Sequence, residues 1–185
     1  METDFKFLNN NAMHDGVALG LYGIFCMAAF AGSFTYPLFS LLFVLLLLGV
    51  PVINALLTFR YRRRAVAPTQ PFGFFNGFFH SLLLGIYSSI WVALAVFVYL
   101  QFIDHGALFD AFEKAVKATY GDAGLQMVLA QTNTPGIESV QDLFERMRTE
   151  PPANYAFSMI DMSLFFSPLM ALIIGLVCRR SGFSN

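Results

Sequence analysis

The sequence predicts an all-α polytopic membrane protein: four transmembrane helices, with a small helical extracytoplasmic insertion between the third and fourth. Three observations carry this expectation. Only 12% of the 185 residues are charged while 57% are hydrophobic, against roughly 25% charged in an ordinary soluble domain. The mean hydropathy is +0.62. The apolar residues also gather into four stretches, about 16–34, 38–59, 74–103 and 155–178, each near the roughly 20 residues that a helix needs to cross the hydrocarbon layer. One membrane domain, 1–185, results, with residues 104–154 as the insertion.

The first span contains Ala29-Phe30-Ala31, which resembles a signal-peptidase site. Its N-terminal flank has Glu2 and Asp4 beside a single Lys6, not the basic region that a signal peptide carries, so the span is expected to stay. The linker Ser33 to Pro37 is short enough to force spans one and two into an antiparallel hairpin. Span two is almost pure Leu, Val and Phe from Leu41 to Val50. Span three is long for the layer and should tilt or project.

Orientation follows from Lys and Arg, which collect on the cytoplasmic side. The loop after span two reads Arg60-Tyr61-Arg62-Arg63-Arg64, and the tail opens with Arg179-Arg180. The segment 104–154 holds four basic residues, Lys114, Lys117, Arg146 and Arg148, against eight acidic ones. Both termini are therefore expected in the cytoplasm of a bacterial inner membrane, and the insertion outside. Within the insertion, three short helices are expected: one with Leu108, Phe109, Phe112 and Val116 on one face, a weaker one with Leu125, Val128 and Leu129, and a third opened by Thr134-Pro135 and lined by Ile137, Val140, Leu143, Phe144 and Met147. Asp110 with Lys114 and Glu113 with Lys117 stand four apart, as exposed helix pairs do.

Small residues let membrane helices approach closely, because van der Waals contact replaces the missing hydrophobic drive. Span three carries Gly73, Gly77, Ser81, Gly85, Ser89 and Ala93 at four-residue spacing; span four carries Ser163, Ser167, Ala171 and Gly175; span one has Gly16, Gly20 and Gly23. Each step of four overshoots a full turn by about 40° at 3.6 residues per turn. The ladder of span three therefore sweeps more than half the helix, so either one partner crosses it right-handed or two partners share it.

Two places stand out as candidate sites. Asp161 is the one acidic residue well inside the spans as drawn, about 9 Å from the outer end of span four at 1.5 Å per residue. An intramembrane carboxylate is a functional candidate by default, and Gln101 and His105 lie at comparable depth to hydrogen-bond it. The competing reading is a structural carboxylate that reaches water or the insertion. The second place is Arg60, Arg62, Arg63 and Arg64 with Asn76 and His80, a set able to bind an anionic headgroup. Against it, the arginines already set topology, the phenylalanines anchor the interface, and His80 can bond a neighbouring helix.

Signals for catalysis are missing: no metalloprotease His-Glu pair, phosphate loop, nucleophile elbow or dinucleotide fingerprint occurs. Cys26 and Cys178 fit neither a disulfide framework nor a metal spacing. No cofactor is expected. A net charge of −1 gives no basic footprint for nucleic acid. The expected partners are the lipid bilayer and another membrane protein or further copies of the chain.

The arginine loop, the Phe-Gly-x-x-x-Gly stretch from Phe72, the third span ending Tyr99-Leu100-Gln101-Phe102-Ile103-Asp104, and the helical insertion resemble a family of small inner-membrane proteins, mainly from Bacteroidota, classed as a domain of unknown function (four-one-nine-nine). The resemblance covers nearly the whole chain and implies no catalytic residue. It associates the chain with polyprenyl-phosphate-type glycosyltransferases. The expected function is thus a non-enzymatic membrane subunit that scaffolds or assists such an envelope-assembly partner. The alternative is an oligomeric lipid or small-solute transporter with an intramembrane carboxylate; a lipid-active enzyme comes third, for want of a nucleophile or metal set.

Overall fold

Helices α1 (Phe5–Ser33), α2 (Pro37–Ala65), α3 (Phe74–Val98) and α6 (Pro152–Cys178) form the membrane bundle in the computed structural model, which describes residues 5–132 and 139–181, with backbone alone for 128–132. All four are long and apolar enough to cross a membrane. A five-residue π-helical turn, Tyr99–Ile103, extends α3, and the insertion contributes α4 (Ala107–Thr132) and α5 (Val140–Thr149). The protein is a multi-pass, all-helical membrane protein.

The first span begins at Phe5, well before the expected Gly16. The reason is that Asn9 and Asn11 are paired within the bundle, not solvated as a flank. Tyr87 Oη donates to Asn9 Oδ1 at 2.7 Å, Asn11 Nδ2 to the Phe7 carbonyl at 2.8 Å, and Arg64 to Asn11 Oδ1 at 3.3 Å. Helix α2 likewise runs through the arginines to Ala65. Where Pro51 interrupts its ladder, Tyr22 Oη of α1 donates to the nearby Leu46 carbonyl at 2.7 Å.

One end of the bundle gathers the basic residues. Arg62 donates to the Cys178 carbonyl at the end of α6 (2.8 Å), and Phe72 and Arg180 exchange two backbone hydrogen bonds of 2.9 and 3.0 Å. The Arg180 guanidinium also bonds the carbonyls of Ala67 and Gln70, so the tail closes over the α2–α3 loop. A core of Leu8, Tyr61, Phe72, Ile174 and Cys178, with Leu83 of α3 packed against it, ties all four spans together here.

Two partners share the small-residue ladder of α3. Gly77 lies 3.3 Å, measured from an added Cβ, from Gly175 Cα, and an added Cβ at Gly85 would collide with Ser167. Ser163 donates to the Gly85 carbonyl at 3.1 Å and sits 3.1 Å from Ser167 Oγ. Ser81 instead turns to α2, and Ser89 returns its hydroxyl to its own helix at Ile86. Gly73 leaves the ladder: it is the N-cap residue of α3 and meets nothing within 4 Å. On the α1 side, Gly16, Gly20 and Gly23 bring the helix against Tyr87, Trp91 and Val92 of α3.

At the opposite end sits the insertion, with two described helices where three were expected. Helix α4 runs through both of the first two predicted segments, kinked at Gly121 (φ 65°, ψ 165°), a backbone conformation that glycine adopts without strain. Thr134-Pro135 and Ile137 lie outside the described residues, as do the side chains of Val128 and Leu129. Helix α5 starts at Ser139, whose side chain accepts from Asp142 N while Asp142 accepts from Ser139 N. Phe112 of α4 packs on Phe34 of the α1–α2 turn and on Phe144 of α5, with ring centroids 5.2 and 6.0 Å apart.

Asp110 pairs with Arg148, not with Lys114. The Arg148 guanidinium reaches Asp110 at 2.7 Å and Glu113 at 2.5 Å, while Lys117 holds Glu113 at 2.7 Å. A guanidinium fork can bridge two carboxylates one helical turn apart, which a lysine of the same helix cannot do.

Candidate functional site

Three helices place polar side chains inside the bundle near its basic end. Asn11 and Asp15 stand four apart on α1, Asn54 and Thr58 four apart on α2 with Tyr61 on the next turn, and His80 and Ser81 lie on α3. A spacing of three or four stacks side chains on one helix face. All seven are buried, and His80, Ser81, Thr58 and Tyr61 expose no surface at all. Gly16, next to Asp15, has only hydrogen where a Cβ would come within 2.6 Å of Tyr87 Cβ. That close approach of α1 to α3 is what brings Asp15 to His80.

His80 is the centre of the arrangement. Its ring lies flat on Tyr61, centroids 4.2 Å apart and planes within 3°. Its Nδ1 is 3.2 Å from Thr58 Oγ1, and its Nε2 is 3.7 Å from Asp15 Oδ2. Ser81 donates to Asn54 Oδ1 at 2.9 Å, whereas Thr58 stands 3.5 Å from the same oxygen. Thr58 has a single proton to give. The contact to His80 is the shorter of the two.

The atoms that face each other are the ones left unsatisfied. Asp15 Oδ2, His80 Nε2 and Tyr61 Oη are buried without a hydrogen-bond partner, as is Arg62 Nε nearby. At 3.7 Å the carboxylate and the imidazole do not hydrogen-bond, yet a side-chain adjustment of under 1 Å would join them. Both are acid–base groups. An unpaired carboxylate is costly at this depth, and a proton shared with the imidazole would relieve that cost.

The candidates expected from the sequence fall differently. Asp161 is exposed on the outer face of α6, and among the described residues it has no hydrogen bond or ion pair. Gln101 and His105 are exposed too, and neither reaches it. The three do not form a site, because the azimuth of α6 turns Asp161 away from α3.

The expected headgroup set is split as well. His80 is sealed inside the bundle, Arg62 is engaged with Cys178 and stacks on Phe59 at 4.8 Å, and Arg64 holds Asn11. Arg60 and Arg63 remain exposed and Asn76 half-buried.

Asp15 is the buried acidic residue that sequence reasoning passed over, since it stood one position outside the span as drawn. The signal was present: Leu8, Ala12 and Leu19 continue the buried stripe of α1 on both sides of Asp15. Among the described residues no group of three metal-ligating side chains occurs. Cys26 and Cys178 are both free and buried.

A family described as a protein of unknown function (DUF4199) matches residues 14–180. The chain belongs to the DUF4199 family. The matched region takes in six of the seven residues of the buried cluster, Asp15 through Ser81, and leaves out Asn11. No curated protein and no solved structure matches the chain.

Proposed function

We propose that this DUF4199 protein is a proton-linked membrane transport subunit, acting as an oligomer on a lipid or small solute, with Asp15 and His80 as its proton-binding pair. The observation that carries the reading is the buried carboxylate and imidazole, 3.7 Å apart on two helices, with the facing atom of each left unpaired. Ionisable side chains inside spans mark proton relays and ion pathways. Four helices leave little room for a central pathway, which is why more than one copy is required. The excess of arginine at the end of α2 and in the tail supports a cytoplasmic position for that end, in an inner membrane, with the insertion outside.

A scaffolding role, as a non-enzymatic subunit beside an envelope-assembly partner such as a polyprenyl-phosphate glycosyltransferase, draws on another observation. Helix α2 leaves Leu41, Leu45, Leu48, Val52 and Leu56 uncovered along one flank. Such a face serves a neighbouring protein as readily as lipid.

One experiment separates the two readings. Purified protein is placed in pyranine-loaded proteoliposomes of native lipid extract, and an inward pH gradient is imposed. The transport reading expects wild type to acidify the lumen faster than Asp15→Asn or His80→Gln. Equal rates for three folded proteins would leave the scaffold.

A further inference from the structure

The seam between α1 and α3 changes character along its length. From Asp15 to Gly23 it is closed: added Cβ atoms at Gly16, Gly20 and Gly23 would come within 2.6, 2.7 and 2.5 Å of Tyr87, Trp91 and Val92. One turn further on, the helices part and enclose a cavity of about 460 Å³, bounded by the last turns of α1, the outer end of α3 and the underside of α4. Its space comes from small residues on three elements: Ala28 and Ala31 on α1, Ala95 on α3, Ala107 and Ala111 on α4. The π-helical turn Tyr99–Ile103 begins on its wall with Tyr99 and Leu100, and such turns recur at functional sites inside otherwise regular helices.

We propose that this cavity binds one acyl chain of a bilayer lipid, drawn from the leaflet beside the insertion. The position and the chemistry of the walls select that occupant. The lining belongs to the terminal turns of two membrane spans, so it lies at the depth of lipid tails, and α4 roofs it at the interface. Apart from Thr35 and the Tyr99 hydroxyl the lining side chains are apolar, so water finds few partners there. A void of this size is within the range of about 300–1,000 Å³ that holds whole ligands, whereas protein interiors tolerate few gaps wider than a water molecule. No residue of α2 or α6 lines it, which leaves the side away from them open to the surrounding lipid.

The claim stands independently of proton transfer at Asp15, because it concerns the other end of the same seam. The test uses the full-length protein in nanodiscs containing a phospholipid with a diazirine on one acyl chain, with adducts mapped by mass spectrometry after illumination. Adducts are expected on residues 24–32 and 95–100 at several-fold the density found on the exposed α2 positions Leu41, Leu45 and Leu48, which sample lipid at random. Ala31→Phe and Ala95→Leu, each filling the cavity from a different helix, should remove the excess and leave α2 labelling unchanged. Asp15→Asn should keep it. Equal adduct density on cavity and α2 in the wild type, or an excess that survives in a folded filling variant, would overturn the proposal. So would replacement of the lipid adducts by cross-links to a second copy of the chain.

Discussion

Nε2 of His80 and Oδ2 of Asp15 face each other across 3.7 Å inside the bundle, and neither has another hydrogen-bond partner. If this contact is an acid–base pair, removing one member should hurt more than removing both. His80→Leu leaves the Asp15 carboxylate buried alone, which costs about 3 kcal/mol when a buried charge loses its partner. Adding Asp15→Asn takes away the charge that needed the partner. The double variant should therefore regain most of the loss in equilibrium unfolding in mild detergent. Additive losses would mean that the two side chains do not interact.

The spans were legible from composition because membrane-crossing helices are read from length and mean hydropathy, which survive any choice of helix face. The site was only half legible for the same reason. Hydropathy averages around the helix, so Asn9, Asn10, Asn11, His14 and Asp15 read as a polar flank, although Asn11 and Asp15 lie on the face that carries Leu8, Ala12 and Leu19 into the core. Asp161 is the reverse case: its depth could be counted along the chain, but its azimuth depends on where α6 packs, and it ends up exposed. His80 was visible as an outlier. Its neighbours were not, since Asp15, Thr58 and Tyr61 come from two other helices and nothing in local spacing encodes that meeting.

Gly85 makes a second, purely steric prediction. A side chain there would meet Ser167 Oγ and, at 3.0 Å, Ser167 Cβ on α6. Gly85→Ala should cost about 1–3 kcal/mol by overpacking, and Gly85→Leu more, while Ile90→Leu on the exposed flank of the same helix should be close to neutral. Ser167→Gly should recover part of the loss from Gly85→Ala. Thermal unfolding of the four variants in one detergent decides it; equal midpoints for Gly85→Leu and Ile90→Leu would remove this contact from the packing account.

Acid should loosen the insertion. Hydrogen bonds from Lys117 first and Arg148 second hold the Glu113 carboxyl below the usual carboxylate range. A carboxyl with a depressed value in the folded state contributes stability that is full above its unfolded value and is lost as pH falls through the folded one. The α4–α5 contact should thus weaken below the ordinary carboxylate range and strengthen again on return to neutral pH. Spin labels on the two helices would report the separation. Arg148→Ala should abolish the acid response of that distance, because the remaining Lys117–Glu113 pair lies within α4.

Tyr61 separates a structural role from a functional one at the buried cluster. Its ring stacks on His80 with planes within 3°, and its hydroxyl is buried without a partner. An unsatisfied buried hydroxyl costs about 1–3 kcal/mol, so a protein selected only for stability would gain by losing it. Tyr61→Phe keeps the ring and removes the hydroxyl; it should leave stability unchanged or raised. Tyr61→Leu gives up the stacking and should fall by about 1 kcal/mol relative to Tyr61→Phe. The decisive readout is the titration of His80, followed by NMR of ring-labelled histidine in Asp15 and Asp15→Asn backgrounds. If the hydroxyl takes part in proton transfer, Tyr61→Phe should shift the His80 titration in the Asp15 background and do so less when Asn replaces the carboxylate. An unchanged titration in both backgrounds would reduce Tyr61 to a packing surface for the imidazole, and the proton pair would then consist of Asp15 and His80 alone.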